Sequence, residues 1–323
     1  MIQVLSHAWK VAQPAITMAR GTPFHEVADG VWSLRTAIVN VVFVSESQDS
    51  WVLIDAGLGF SVETIRDHAE ELFGDEPPTA IYLTHGHFDH IGALEELLEV
   101  WPDTPVYAHQ LELPYITGKS SYPPPDPSVG GGAMAFLSFV YPKGPIDIGD
   151  RALPLPEGRL PGLPGWRAVA TPGHSPGHVS FFRDEDRTLI AGDAFVTTKQ
   201  ESFTAVLLQK EELNGPPMYY TMNWEQARQS VATLAALEPE NVITGHGSPM
   251  YGAEVRSELA RLADEFELLA VPASGRYVDT PALTDEYGVV ELPPKNKLPF
   301  ASIALGVGLV AVGIAAFTYS RRR

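Results

Sequence analysis

Thr84-His85-Gly86-His87-Phe88-Asp89-His90 sets three imidazoles and a carboxylate at the end of the apolar run TAIYLT (79–84). The run reads as a strand, because it is short, apolar and rich in β-formers. Core packing does not gather so many polar groups at a strand end. Imidazole and carboxylate are the ligands that Zn2+, Mn2+ or Fe2+ accept, and a turn lets alternate side chains converge on two points. A strand that delivers metal ligands from its end calls for a rigid mixed scaffold around it.

The flanking sequence supplies one. VWSLRTAIVNVVFV (31–44) is β-branched and aromatic, and WVLIDAG (51–57) is a short apolar run that ends in Asp55. SVETIRDHAEELFG (61–74) switches to helical spacing, with Val62, Ile65, Ala69 and Leu72 on one face, Ser61 placed to cap the start and Gly74 to end it. The alternation continues through a helix at 93–101, a strand at 105–109, strands at 166–171, 178–184 and 187–193, a helix from Asn223 to about Leu237, a strand at 241–245 and a closing helix at 257–269. This order argues for an α/β sandwich rather than a bundle or an all-β domain. Between them, 113–132 is punctuated by Pro and Gly and reads as a surface loop of the kind that forms lids or binding walls.

Further polar groups sit at the ends of these strands. Thr171-Pro172-Gly173-His174-Ser175-Pro176-Gly177-His178 follows one, Ala191-Gly192-Asp193-Ala194 closes another, and Thr244-Gly245-His246-Gly247 closes the last. No cysteine occurs in the 323 residues, so thiolate sites, disulfides and a cysteine nucleophile are excluded and any metal must be held by His, Asp or Glu. The charge balance, 22 basic against 40 acidic residues, gives a net −18. So acidic a surface repels phosphate backbones, which argues against nucleic acid as a partner.

With Asp55, the His85–His90 cluster, His174, Asp193 and His246 in this order, the chain resembles the metallo-β-lactamase superfamily over roughly Gly30 to Glu254. The resemblance implies a four-layer αβ/βα sandwich with two divalent metal ions, Zn2+ first and Mn2+ or Fe2+ as alternatives, at one edge of two sheets. It implies that His85, His87 and His174 hold the first metal, that Asp89, His90 and His246 hold the second, and that Asp193 bridges them. Asp55 and His178 are expected behind the ligands, orienting them. The implied chemistry is attack by a metal-bridging hydroxide on the carbonyl of an ester, thioester or lactone, with Asp89 steering the nucleophile and carrying a proton. The His174–His178 segment looks like the glyoxalase II and lactonase side of the family, with a small-molecule substrate. Two alternatives stay open: a mononuclear iron dioxygenase of the same fold, resembling persulfide dioxygenases, and a non-catalytic membrane scaffold. Tyr115, Tyr122, Phe203, Tyr219 and Tyr220 are candidate pocket walls.

Residues 1–270 are expected to form the catalytic domain and 271–297 a linker or packed tail. Leu298 to Ser320 has 23 residues without a charge. At 1.5 Å per residue such a helix spans roughly 34 Å, enough for a hydrocarbon core of about 30 Å. Lys295 and Lys297 precede it, and Arg321, Arg322 and Arg323 follow as a basic tail. The expectation is a single C-terminal transmembrane helix over 298–320 that anchors a cytoplasmic domain to a membrane. The small-residue stripe Ala304, Gly308, Ala311 and Ala315 would suit a helix-mediated dimer.

Overall fold

In a computed structural model, residues 23–47 and 50–296 are described. Strands β1 (Phe24–Ala28), β2 (Val31–Thr36), β3 (Val39–Ser47), β4 (Ser50–Ile54), β5 (Ala80–Tyr82), β6 (Val106–Ala108) and β7 (Ala152–Pro154) form one sheet in that order. Its first four strands pair antiparallel and the remainder parallel. The second sheet runs β12 (Met250–Tyr251), β11 (Asn241–Thr244), β10 (Thr188–Gly192), β9 (Val179–Arg183) and β8 (Trp166–Ala170).

Side-chain alternation along the strands stacks these sheets. Val42, Val44, Val52, Ile54 and Tyr82 of the first sheet meet Val179, Phe181, Ile190 and Ile243 of the second in one core. The intervening residues Val41, Phe43, Trp51, Leu53 and Ile81 point the other way. There they cover α1 (Val62–Phe73) through Ile65 and Ala69, and α3 (Leu94–Val100) through Leu94, Leu97 and Leu98. A one-turn helix, α2 (Phe88–Ile91), lies between these two in sequence. On the far side, Leu189 and Val242 pack on α7 (Trp224–Ala235) and α8 (Gly252–Asp264) through Val231, Leu234, Val255 and Leu259. Strands buried on both faces read as continuous apolar runs, and the order of layers is helix, sheet, sheet, helix.

Several boundaries differ from the sequence reading. The run 31–44 is two strands, with Ala37 in the left-handed region at φ 63° between them. The 113–132 loop begins with a short helix, α4 (Leu113–Ile116), and is followed by α5 (Ala133–Leu137). α6 (Phe203–Leu208) precedes α7, and α9 (Phe266–Leu269) is separate from α8. Residues 283–291 form a hairpin of β13 (Leu283–Asp285) and β14 (Gly288–Glu291), and nearby Tyr277 packs with Tyr115, Tyr122 and Met222.

The expected transmembrane helix is a correction. The longest helix among the described residues, α8, has 13 residues, about 20 Å of rise, and carries charges on its surface. No helix among the described residues is long and apolar enough to cross a membrane. The span expected over 298–320 lies outside the described residues, so neither a single-pass anchor nor a membrane localisation is part of the observed structure.

Candidate metal centre

The polar residues singled out in the sequence converge at the carboxyl ends of strands from both sheets. Asp55 follows β4 and the His85–His90 turn follows β5; His174 lies in the β8–β9 turn, Asp193 follows β10 and His246 follows β11. Close approach of these turns needs glycine at one point above all. A Cβ at Gly245 would overlap the Asp193 carboxylate and come within 2.7 Å of the His90 ring. Asp55 itself sits at φ 61°, a left-handed conformation uncommon for a side chain that carries a Cβ.

Three groups of donors lie within 4.8 Å of one another: His85 with His87 and His174, His85 with His90 and Asp193, and Asp89 with His90 and His246. All are buried. The Asp193 carboxylate lies between the two expected triads. Its Oδ2 is 3.5 Å from His174 Nε2 and 3.2 Å from His246 Nε2, while Oδ1 is 3.6 Å from His90 Nε2. Asp89 Oδ2 is 3.5 Å from His246 Nε2, and His87 Nδ1 is 3.0 Å from His174 Nε2.

This donor set fits divalent metal. His85 Nε2, His87 Nε2, His90 Nε2 and Asp193 Oδ1 are buried without a hydrogen-bond partner. Buried polar atoms left unpaired are costly, and these four belong to the donor groups that could hold metal. Burial, reinforced by neighbouring imidazoles, holds His85 and His87 well below the ordinary histidine range and brings His174 to about 4. These rings therefore present lone pairs at neutral pH, as metal ligands must. Burial alone would push Asp193 up, but His246 and His90 outweigh it and hold the carboxyl well below its usual range.

Behind the donors lies a hydrogen-bonded layer. Asp55 Oδ2 accepts from His90 Nδ1 at 2.8 Å and from Thr84 Oγ1 at 2.7 Å, and Oδ1 accepts from Thr84 N at 2.8 Å. His90 Nε2 is thereby turned toward Asp193. His246 Nδ1 donates to the Ile38 carbonyl at 2.6 Å. His178 does not join the donor groups. Its Nε2 accepts from Asp193 N at 2.9 Å while its Nδ1 donates to Thr171 Oγ1 at 2.8 Å, so the ring fixes the backbone of the central carboxylate.

Of the aromatic residues expected as pocket walls, Tyr220 stacks on His87 at 4.1 Å and Tyr122 lies 4.6 Å from the same ring. Tyr115 stacks on Tyr122 and Tyr219 is buried beside Tyr220, whereas Phe203 is 53% exposed. His109 accepts from Leu111 N and stands apart from the donor groups. Sequence reasoning missed Glu112, a buried carboxylate tied to the turns on both sides of the centre. It also missed Tyr141, whose ring lies between Phe88 and Tyr219.

The chain belongs to the metallo-beta-lactamase superfamily, whose family profile matches residues 34–246. Its sequence is 49% identical over 253 residues to a Bacillus subtilis (strain 168) protein named "Probable metallo-hydrolase YflN", covering 77% of this chain and 96% of that one. It is 32% identical over 219 residues to "Probable metallo-hydrolase YybB" of the same organism, covering 67% and 84%. Among solved structures, a metallo-beta-lactamase family protein from Thermus thermophilus, TTHA1429, shares the fold with a TM-score of 0.50 at 22% identity, covering 75% of this chain and 81% of that chain.

Proposed function

We propose that this chain is a two-metal hydrolase that cleaves an ester, thioester or lactone of a small molecule. The observation that carries the reading is the Asp193 carboxylate, lying within 3.6 Å of one nitrogen from His174, His90 and His246 and so between two donor triads. The names of the two Bacillus relatives support the broader class, metallo-hydrolase. His85, His87 and His174 would hold one cation and Asp89, His90 and His246 the other, with Asp193 shared. Paired cations at such a site supply a water acidified toward neutral pH and an electrophile for a carbonyl oxygen.

The protein's own groups do the rest. Asp89 Oδ2, 3.5 Å from His246 Nε2, stands where it would steer the nucleophile and carry a proton to the leaving group. Tyr220 and Tyr122 flank His87 and wall off water on that side. The net charge of −18 disfavours polyanionic substrates such as nucleic acid.

Elemental analysis of the purified full chain, with hydrolysis of a thioester and lactone panel on the same sample, tests the reading. About two zinc or manganese ions per chain are expected, with turnover lost on chelation and in Asp193→Ala. A single iron per chain, with oxygen consumption and no hydrolysis, would overturn it in favour of the dioxygenase alternative.

A further inference from the structure

Glu112 is fully buried and lies outside the donor set, yet both of its oxygens are used. Oε1 accepts from Ser175 Oγ at 2.8 Å and from Gly177 N at 2.7 Å. Oε2 accepts from Gly86 N at 3.1 Å and from the Tyr122 hydroxyl, which in turn accepts from Gly86 N at 2.8 Å. Gly86 separates His85 from His87, and Ser175 follows His174. One carboxylate therefore ties together the two turns that carry His85, His87 and His174. It adds Tyr122, whose ring packs on His87 and stacks on Tyr115. No oxygen of Glu112 bonds to α2, which carries His90, or to the turn of His246.

Those residues are held elsewhere. Asp55 takes His90 Nδ1 and the Ile38 carbonyl takes His246 Nδ1. A buried carboxyl that accepts four donors fixes their positions, and its bonds strengthen as it ionises, a charge-assisted bond being worth about twice a neutral one. Leaving any of these donors unpaired in the interior carries a desolvation penalty.

We propose that Glu112 is the positioning residue for the turns that bring His85, His87 and His174 together, while Asp55 orients the His90 ring and reaches His85 through Thr84 Oγ1. The inference rests on the two-metal reading above. It gives the His85, His87 and His174 turns a buried carboxylate that the His90 and His246 rings do not share, and it makes the 113–132 loop a mechanical partner of those turns through Tyr122.

The test uses Co2+ as probe on the full chain, with chelator competition and the visible absorption of each equivalent as readouts. Glu112→Gln keeps the volume but offers an amide NH2 to one pair of donors. The Tyr122 hydroxyl can turn to accept from it; the Gly86 N–H cannot. In a His246→Ala background, Glu112→Gln is expected to weaken the remaining equivalent by about 10- to 100-fold, the range for loss of an outer-layer partner. In a His174→Ala background it is expected to leave the remaining equivalent and its spectrum unchanged. Equal weakening in both backgrounds, or in neither, would overturn the assignment. Thermal melts accompany each sample. If Glu112→Gln does not fold, Tyr122→Phe, which removes a single donor, must show the same selectivity at smaller size. A wild-type chain that binds no Co2+ would overturn the two-metal reading itself, and this inference with it, a result distinct from binding without selectivity.

Discussion

At the scale of single residues, the centre is governed by atoms that have one partner and no substitute. His90 Nδ1 has Asp55 Oδ2 as its acceptor, so Asp55→Ala frees the ring to rotate away from Asp193. We expect metal affinity to fall about 10- to 100-fold with the overall fold retained, as read by chelator competition alongside a thermal melt. Gly245→Ala acts by sterics instead. The added methyl enters the space of the Asp193 carboxylate and the His90 ring, and overpacking of this kind costs about 1–3 kcal/mol. Reduced metal uptake with a lowered melting temperature is expected, and wild-type uptake would refute the role of that close approach. Glu112 brings a pH dependence. Burial pushes its carboxyl from 4.5 up to about 7, against the downward pull of bonds from Ser175, Gly177 and Gly86. The folded chain thus binds this proton more tightly than the unfolded chain does. Its contribution to stability is full below pH 4.5 and is lost as the pH rises through about 7. For the metal-free protein, wild type should therefore lose stability relative to Glu112→Gln between pH 4.5 and about 7 and level off above it. A constant difference across that window would refute it.

At the scale of elements, caps and turns decide where strands hand over to functional loops. The Asn223 side chain accepts from Gln226 N at 3.1 Å and starts α7, the helix that covers the second sheet. Asn223→Ala should cost about 1 kcal/mol, visible as a fall of roughly 2–4 °C in melting temperature. α7 was readable in the sequence because its cap and its apolar spacing agree. α1 was readable from its spacing, although Ser61 holds the first position without a capping side-chain bond. The strand-end motifs were readable because their ligand types have few other uses and fall in one order. Other features had no local signal. The β2–β3 turn hides in a continuous β-branched run, where only the positive φ of Ala37 marks it. β7 is three residues long in a stretch rich in Pro and Gly. Glu112 finds its partners 26 and 65 residues away, a relation set by the fold and not by spacing. The apolar run at 298–320 follows the pattern of a membrane span and lies outside the described residues, among which no helix is long and apolar enough to cross a membrane.

At the scale of the whole molecule, the donors are divided between the two sheets. His85, His87, Asp89 and His90 follow strand β5 of the first sheet; His174, Asp193 and His246 come from turns of the second. Between the sheets at this edge, direct bonds run from Val179 N to the Thr84 carbonyl, from Asn40 N to the Gly245 carbonyl, and from Asn40 Nδ2 to the carbonyls of Thr244 and Gly247. Deeper in, Tyr82 packs edge-on against Phe181. Cations held by donors from both sides would add a cross-link that exists only in the folded state, because an unfolded chain does not assemble a site from residues so far apart. Such binding stabilises by mass action, about 2.7 kcal/mol when free metal stands at 100 times its dissociation constant. Removing metal should therefore lower the melting temperature in proportion to the logarithm of free metal, with the loss reversed on adding Zn2+ back. The same titration on Asp193→Ala, which lacks the shared carboxylate, should show a smaller shift. An equal shift in wild type and Asp193→Ala would mean that the metal acts away from the sheet junction and would remove the case for a shared central ligand.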